Sequence, residues 1–296
     1  MSDIFQSFEQ FFSHGSDAIV VLFFVLIHFI SEPLRWSIYI SHTNMSNFST
    51  LLKVFSLTAL GSYILPFKLG IPLRIYLLNK KTNLNFPIIS ALLLVDGLSY
   101  YLFWVISGCI GFMYLYGAKL LAQQIHFSAA ILVAIVATLF FYLSKDFFRK
   151  KISKLSEKLR YLKESKKFFS QISYQKFLII LVITGLDIGS HILRHLFLFY
   201  MLGIDLSLAQ VASITTLSVM TGLLSMMPMG LIGYDATIIF LLQQSGISLE
   251  AALLIPLLNR FASLILSFIL GAWGGVSMGV NPISGLKKMA SSINKN

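Results

Sequence analysis

Apolar residues gather in eight stretches, at 18–40, 48–65, 88–116, 127–144, 178–202, 208–227, 234–245 and 253–279, with polar residues collected between them. A helix rises 1.5 Å per residue, so the first stretch is long enough to cross ~30 Å of hydrocarbon. The residues ahead of it hold three acids (Asp3, Glu9, Asp17) and no Lys or Arg. A secretory signal needs a basic flank there, so 18–40 is expected to remain as a span. The pattern predicts an all-α polytopic membrane protein, with about eight membrane segments in a single membrane domain over 1–296.

Two places interrupt the apolar pattern. Residues 66–74 read Pro-Phe-Lys-Leu-Gly-Ile-Pro-Leu-Arg, and residues 228–235 read Pro-Met-Gly-Leu-Ile-Gly-Tyr-Asp. Proline removes a backbone donor and glycine favours non-helical angles. At membrane depth such breaks survive only inside protein or beside a wet cavity. Pro66, Gly70 and Pro72, with Pro228, Gly230 and Gly233, are therefore expected to line a site.

Composition agrees with the pattern: 56% of the 296 residues are hydrophobic and 12% are charged, against ~25% charged in a soluble domain. The formal net charge of +11 is unevenly placed, because eleven of the 23 Lys+Arg fall in 145–176. Between spans, that is a cytoplasmic signature rather than a nucleic-acid surface. Phe148, Ile152, Leu155, Leu159 and Leu162 recur there at helical spacing. They predict a basic amphipathic helix on an anionic leaflet, with a solvated topology-setting loop as the alternative.

With 145–176 inside, Lys80 and Lys81 also fall inside, as does the C-terminus with Lys287, Lys288 and Lys295, while the acidic N-terminus falls outside. Residues 41–85 must then begin and end inside, as a broken re-entrant hairpin. A hairpin over 206–250 satisfies the second half; so do three full crossings. The hairpin choice gives an inverted repeat, with 18–116 as the first unit, 127–144 as a linking helix and 178–279 as the second unit. A short echo accompanies it: Val54-Phe-Ser-Leu-Thr-Ala-Leu60 parallels Val211-Ala-Ser-Ile-Thr-Thr-Leu217. Gly185/Gly189 and Gly271/Gly275/Gly279 recur at a spacing that lets helices approach closely.

Signatures of soluble enzymes are missing. There is no His-Glu-x-x-His, Gly-x-Ser-x-Gly or Walker A sequence, and the lone Cys109 excludes disulfides and thiolate clusters. No cofactor, metal or catalytic residue is expected. What remains are ionisable groups in apolar segments. Glu32 and Arg35 sit near the inner end of their span, where snorkelling competes with function. Asp96 is too deep to snorkel and needs a cation or a wet groove. Asp187, His191 and His195 follow one another at a spacing of four, beside Arg194. Their readings are a proton relay or headgroup contact, a packed helix pair, or a metal site, the last being geometrically poor on one helix.

At the two breaks the order of residues becomes familiar: Arg35-Trp36, then Pro66 through Arg74, then Pro228 through Asp235, then Asn259-Arg260 and a glycine-rich last span. This resembles the lysylphosphatidylglycerol synthase transmembrane, or flippase-like, family over roughly 18–279. That family's first break usually reads Pro-x-x-x-Gly-Glu-x-x-Arg; Pro66, Gly70 and Arg74 match, and Ile71 replaces the acid. The aminoacyl-transferring soluble domain of the synthase members is not present before Asn296.

The resemblance implies flipping of an anionic phospholipid, aminoacyl-phospholipid or polyprenyl-phosphate-linked lipid, without covalent chemistry. Lys68, Arg74, Asp96, Asp235 and Arg260 would bind it. Guanidinium suits phosphate because it binds bidentately. The alternatives are a membrane-embedded transferase or hydrolase using Asp187, His191 and His195, and a non-catalytic membrane partner of a soluble lipid-modifying enzyme. The expected location is the cell (inner) membrane.

Overall fold

Helices account for all the regular structure among the described residues, which in this computed structural model are 15–41, 47–64, 70–82, 84–122, 172–225 and 231–279. The helices are α1 (Gly15–Tyr39), α2 (Phe48–Ile64), α3 (Gly70–Lys81), α4 (Phe86–Ala122), α5 (Tyr174–Met201), α6 (Leu208–Leu224), α7 (Leu231–Gln244) and α8 (Leu249–Ser277). Four of them, α1, α4, α5 and α8, are long and apolar enough to cross a membrane. The protein is thus an all-α polytopic membrane protein. The described residues of the apolar runs at 18–40, 48–65, 88–116, 178–202, 208–227, 234–245 and 253–279 fall on one helix each, to within two residues at the ends. The run at 127–144 and nearly all of 145–176 lie outside the described residues.

The other four helices are short. α2 and α6 have 17 residues each, α3 has 12 and α7 has 14. At 1.5 Å per residue these reach roughly 18–26 Å, less than the ~30 Å of hydrocarbon. They pack in consecutive pairs, α2 on α3 and α6 on α7. Residues 65–69 and 226–230, between the members of each pair, are outside the described residues, and with them Pro66, Lys68, Pro228 and Gly230.

The breaks are narrower than the prolines and glycines predicted. Helix resumes at Gly70 and at Leu231, so Gly70, Pro72, Arg74, Gly233 and Asp235 are all helical. Pro72 is the third residue of α3. The first four N–H groups of a helix have no partner within it, so a missing donor there costs nothing. Serine caps start α5, α6 and α8 (Ser173, Ser207 and Ser248), and Ser207 forms a reciprocal capping box with Gln210.

The long-range packing has a regular plan. α1 lies on α5, α4 on α6, and α8 on α2. Exchanging α1–α4 with α5–α8 maps this plan onto itself. Small residues make the two matching crossings close. A Cβ on Gly108 would lie 2.9 Å from the Met220 Cβ, and one on Gly111 would lie 2.8 Å from the Ser213 Cα. A Cβ on Gly271 would lie 2.5 Å from the Leu60 Cβ, and one on Gly274 would lie 2.6 Å from the Lys53 carbonyl oxygen. The echo segments 54–60 and 211–217 therefore sit at equivalent crossings.

Among the described residues, nothing lies within 4 Å of a Cβ built on Gly185 or Gly189. Gly271 packs closely on α2 at Leu60, and Gly274 and Gly275 are buried beside it. Gly279 has φ +62° just beyond α8, where a residue without a side chain adopts the left-handed angle at little cost.

Two apolar clusters fill the interior. Val21 and Val25 of α1 join one, with Leu198, Ile214, Ile238 and Ile255; Trp36 and Ile40 join the other, with Leu51, Leu77 and Leu92. Between these two stretches α1 carries His28, Ser31, Glu32 and Arg35. Outward, α5 shows Ile179, Val182 and Leu186, all half or more exposed.

Candidate functional site

The polar stretch of α1 faces a cavity of about 420 Å³ that opens among helices of both halves. Its walls include Glu32 (α1), Arg74 (α3), Tyr100 (α4), Arg194 (α5), Tyr234 (α7) and Arg260 (α8). Both short-helix pairs contribute, through Ser62 and Arg74 on one side and Gly222 and Tyr234 on the other.

Each arginine around this layer has a different setting. Arg74 donates through Nη1 to Glu32 and through Nε to Thr58 Oγ1 at 3.2 Å, with its guanidinium 4.3 Å from the Phe55 ring centre. Arg260 forks onto Asp235, with Nη2 donating at 2.8 and 2.9 Å to the two carboxylate oxygens. Both pairs are only partly buried. Arg35 is 3% exposed; its Nε donates to Asp96 at 2.9 Å and its Nη1 to Asp187 at 3.4 Å. The Trp36 indole also donates to Asp96, at 3.3 Å. Arg35 therefore does not snorkel, and Glu32 is tied to Arg74. In hydrocarbon, two buried carboxylates hold a guanidinium more firmly than the interface attracts it.

Arg194 is also 3% exposed and lines the cavity, but it has no carboxylate within ion-pair distance among the described residues. Its Nη2 donates to His191 Nδ1 at 2.9 Å. A guanidinium only donates, so Nδ1 accepts, and a neutral His191 carries its proton on Nε2. That Nε2 faces His28 Nδ1 at 3.2 Å, and the same His28 atom is 2.8 Å from Asp187 Oδ1. One ring nitrogen cannot accept from His191 and donate to an ionised Asp187 at once. Protons along Asp187, His28 and His191 thus have two competing arrangements.

The ligating atoms of His28, Asp187 and His191 lie within 4.8 Å of one another, as a metal site would require. The Arg194 contact works against that use, because it fixes the His191 proton on the nitrogen that would face the ion.

His195 has one arrangement. Its Nδ1 donates to the His191 carbonyl at 2.7 Å, which leaves Nε2 to accept from the Tyr234 hydroxyl. Tyr234 in turn accepts from Asn259 Nδ2 at 3.3 Å. With both ring nitrogens used, His195 positions Tyr234 and stands apart from the His28–His191 contact.

Of the predicted site residues, Arg74 and Arg260 line the cavity, with Asp235 behind Arg260. Asp96 faces Arg35 and Trp36 and is not part of the cavity wall. Of the α5 row, His191 lines it, and Asp187 and His195 lie behind. Lys68 is outside the described residues. The sequence reading missed His28, Arg194 as a wall residue, Tyr100, Tyr234 and Asn259. His28 had a signal: it lies one helical turn from Glu32 and two from Arg35, on the same face.

Comparison with known families agrees with this architecture. The model of the lysylphosphatidylglycerol synthase TM region matches residues 6–271, most of the chain. The chain belongs to that family. The lysylphosphatidylglycerol synthase TM region family comprises membrane proteins that act on lipids, and the match spans every described helix except the end of α8. No curated protein and no solved structure matches the chain.

Proposed function

We propose that the protein moves the phosphate-bearing headgroup of a lipid across the bilayer through the cavity between its two halves, while the acyl chains stay in hydrocarbon. The observation that carries this reading is a cavity of about 420 Å³ whose wall brings Arg74, Arg194 and Arg260 together with apolar side chains such as Phe55 and Leu223. A charged headgroup crosses hydrocarbon slowly because it must be desolvated; guanidiniums and tyrosine hydroxyls replace its water. The family's name points to phosphatidylglycerol derivatives as one substrate class, beside polyprenyl-phosphate lipids.

In this reading α1–α4 and α5–α8 form an inverted repeat, and α2–α3 and α6–α7 are re-entrant hairpins that meet at the cavity. Arg74 and Arg260 exchange their carboxylates for phosphate as the headgroup passes. The basic segment 145–176 rests on the anionic cytoplasmic leaflet, near any soluble enzyme that makes or consumes the lipid. The chain sits in the cell's inner membrane with its C-terminus inside, and makes no covalent change to the lipid.

The test is reconstitution of the purified protein in vesicles holding a lipid with a fluorescent headgroup, followed by quenching from outside. Faster loss of the inner-leaflet signal than in protein-free vesicles, with the lipid's mass unchanged, is the expected result. No acceleration would remove the proposal. A changed lipid mass would favour instead a transferase or hydrolase, a reading for which the cavity-facing His28 and its contact with Asp187 are the supporting feature.

A further inference from the structure

Two residues of the cavity wall each carry a buried side-chain atom that the described residues leave unmatched. Arg194 Nε and Asn259 Oδ1 are both buried and have no hydrogen-bond partner among the described residues. Both residues line the cavity. Buried polar atoms in folded proteins are nearly always satisfied; Ser56 Oγ, Trp104 Nε1 and Thr215 Oγ1 are also unmatched but belong to residues outside this wall, whereas Arg194 and Asn259 share it.

The orientation of each is fixed by its neighbours. Asn259 cannot cure its orphan by flipping its amide. His195 Nδ1 is committed to the His191 carbonyl, so the Tyr234 hydroxyl must donate to His195 Nε2 and accept from Asn259. Asn259 therefore presents its NH2 to Tyr234 and keeps its oxygen free. Arg194 is fixed by its bond to His191.

The charges define the ligand further. Around the layer stand four guanidiniums (Arg35, Arg74, Arg194, Arg260) and four carboxylates (Glu32, Asp96, Asp187, Asp235). Arg35 contacts two of the carboxylates, Arg74 and Arg260 take one each, and Arg194 is left without one. One uncapped cation suits one negative charge. In the resting arrangement a second negative charge meets arginines already held, Arg74 by Glu32 and Arg260 by Asp235, and waits on their exchange.

From this we infer that Arg194 and Asn259 together read the headgroup: Arg194 takes the single charge of a phosphodiester, and Asn259 Oδ1 takes an O–H or N–H donor carried by the same headgroup. The substrate class is then a phosphodiester lipid with a hydrogen-bond donor at its head, such as a glycerol, an amine or a sugar. A fully methylated ammonium headgroup has no such donor and leaves Asn259 unmet. Leaving a buried polar atom unpaired is what makes this kind of discrimination large. The inference deepens the translocation reading but concerns binding alone.

The test is calorimetric titration of the full-length protein in a neutral detergent with dihexanoyl lipids. Phosphatidylethanolamine and phosphatidylcholine are matched in charge and differ in their N–H donors; phosphatidylglycerol adds a net negative headgroup. The wild type is expected to bind phosphatidylethanolamine about tenfold tighter than phosphatidylcholine, the worth of one hydrogen bond to a buried group. Asn259→Leu should remove that preference. Arg194→Gln should weaken all three lipids by about tenfold or more, and Arg194→Lys by less, because it keeps the charge and loses the fork.

Equal binding of the two zwitterions by the wild type would overturn the role of Asn259. Unchanged phosphatidylglycerol binding by Arg194→Gln would overturn that of Arg194. If Arg194→Gln does not give folded protein, the wild-type preference and Arg194→Lys still decide. Binding as expected without transbilayer movement in vesicles would sink translocation and leave this site standing; movement without the preference would do the reverse.

Discussion

Arg260 grips Asp235 with both carboxylate oxygens within 2.9 Å, across α8 and α7 and at the edge of the cavity. Paired charges that are only partly buried can be exchanged. Removing Asp235 and removing Arg260 should therefore act in opposite ways on an anionic ligand. Arg260→Ala is expected to slow headgroup movement by about tenfold or more, with Arg260→Lys between it and the wild type. Asp235→Asn should leave binding of an anionic headgroup equal or tighter. The vesicle quenching assay with an anionic fluorescent lipid measures the first, and titration measures the second. Wild-type rates in both Arg260→Ala and Arg74→Ala would refute the phosphate-exchange role.

Arg35 is predicted to be a stability residue first. It satisfies two carboxylates that are 5% and 1% exposed. Arg35→Gln leaves Asp96 with the Trp36 indole and Asp187 with His28 but takes away their shared guanidinium, and breaking a buried pair typically costs about 3–5 kcal/mol. The apparent melting temperature in detergent should fall well below that of wild type. Adding Asp96→Asn to the variant should recover part of the loss. A melting temperature equal to wild type would show that Arg35 is not what holds these acids.

The glycine crossings give a contrast within one residue type. Gly274→Val puts side-chain atoms against the Lys53 carbonyl, and Gly111→Val puts them against the Ser213 backbone. Backbone cannot move aside as a flexible side chain can, so each should cost about 1–3 kcal/mol. Gly185→Ala meets nothing within 4 Å among the described residues and replaces a poor helix former with the best one, so stability should hold or rise. Thermal unfolding of the three variants in one detergent makes the comparison.

The course of the second hairpin is tested at its tip. Ser225 closes α6, whose 17 residues are short of a full crossing. If α6 and α7 are re-entrant, Ser225→Cys should resist a membrane-impermeant thiol reagent from either side. Leu155→Cys should react from the cytoplasmic side, and Leu120→Cys from outside. Fast labelling of Ser225→Cys from the cytoplasm would replace the hairpin with two crossings.

Proton coupling is the last prediction. His28 and His191 are faced by Asp187 and Arg194 on α5, Glu32 and Arg35 on α1, and the Trp104 ring on α4. An added proton at His28 would settle the two competing arrangements in favour of donation to Asp187. Under an imposed pH gradient, headgroup movement by the wild type should differ from the ungraded rate, and His28→Gln should abolish that difference. A wild-type rate that ignores the gradient would leave these histidines a packing role.

The sequence by itself determined the class of this protein and the places where its chemistry stands. Long apolar runs leave only helices as a backbone solution in lipid, because each peptide group must be satisfied within its own segment; hence the match between runs and helices. The cost of charge in hydrocarbon likewise made Arg35, Asp96, Asp187, Arg260 and their companions conspicuous one by one. What the sequence could not give was who faces whom. Pairings such as Arg35 with Asp96 and Asp187, or Arg74 with Glu32, join residues far apart in the chain, and helical periodicity describes one helix at a time. Tertiary packing alone decided that Asp96 backs Arg35 instead of facing the cavity, that Gly271 and Gly274 press against α2, and that Arg194 is left without a carboxylate among the described residues. The physical reason is common to all three: contact between helices depends on their rotation and depth, which are set by close packing over the whole bundle and by no local stretch of it.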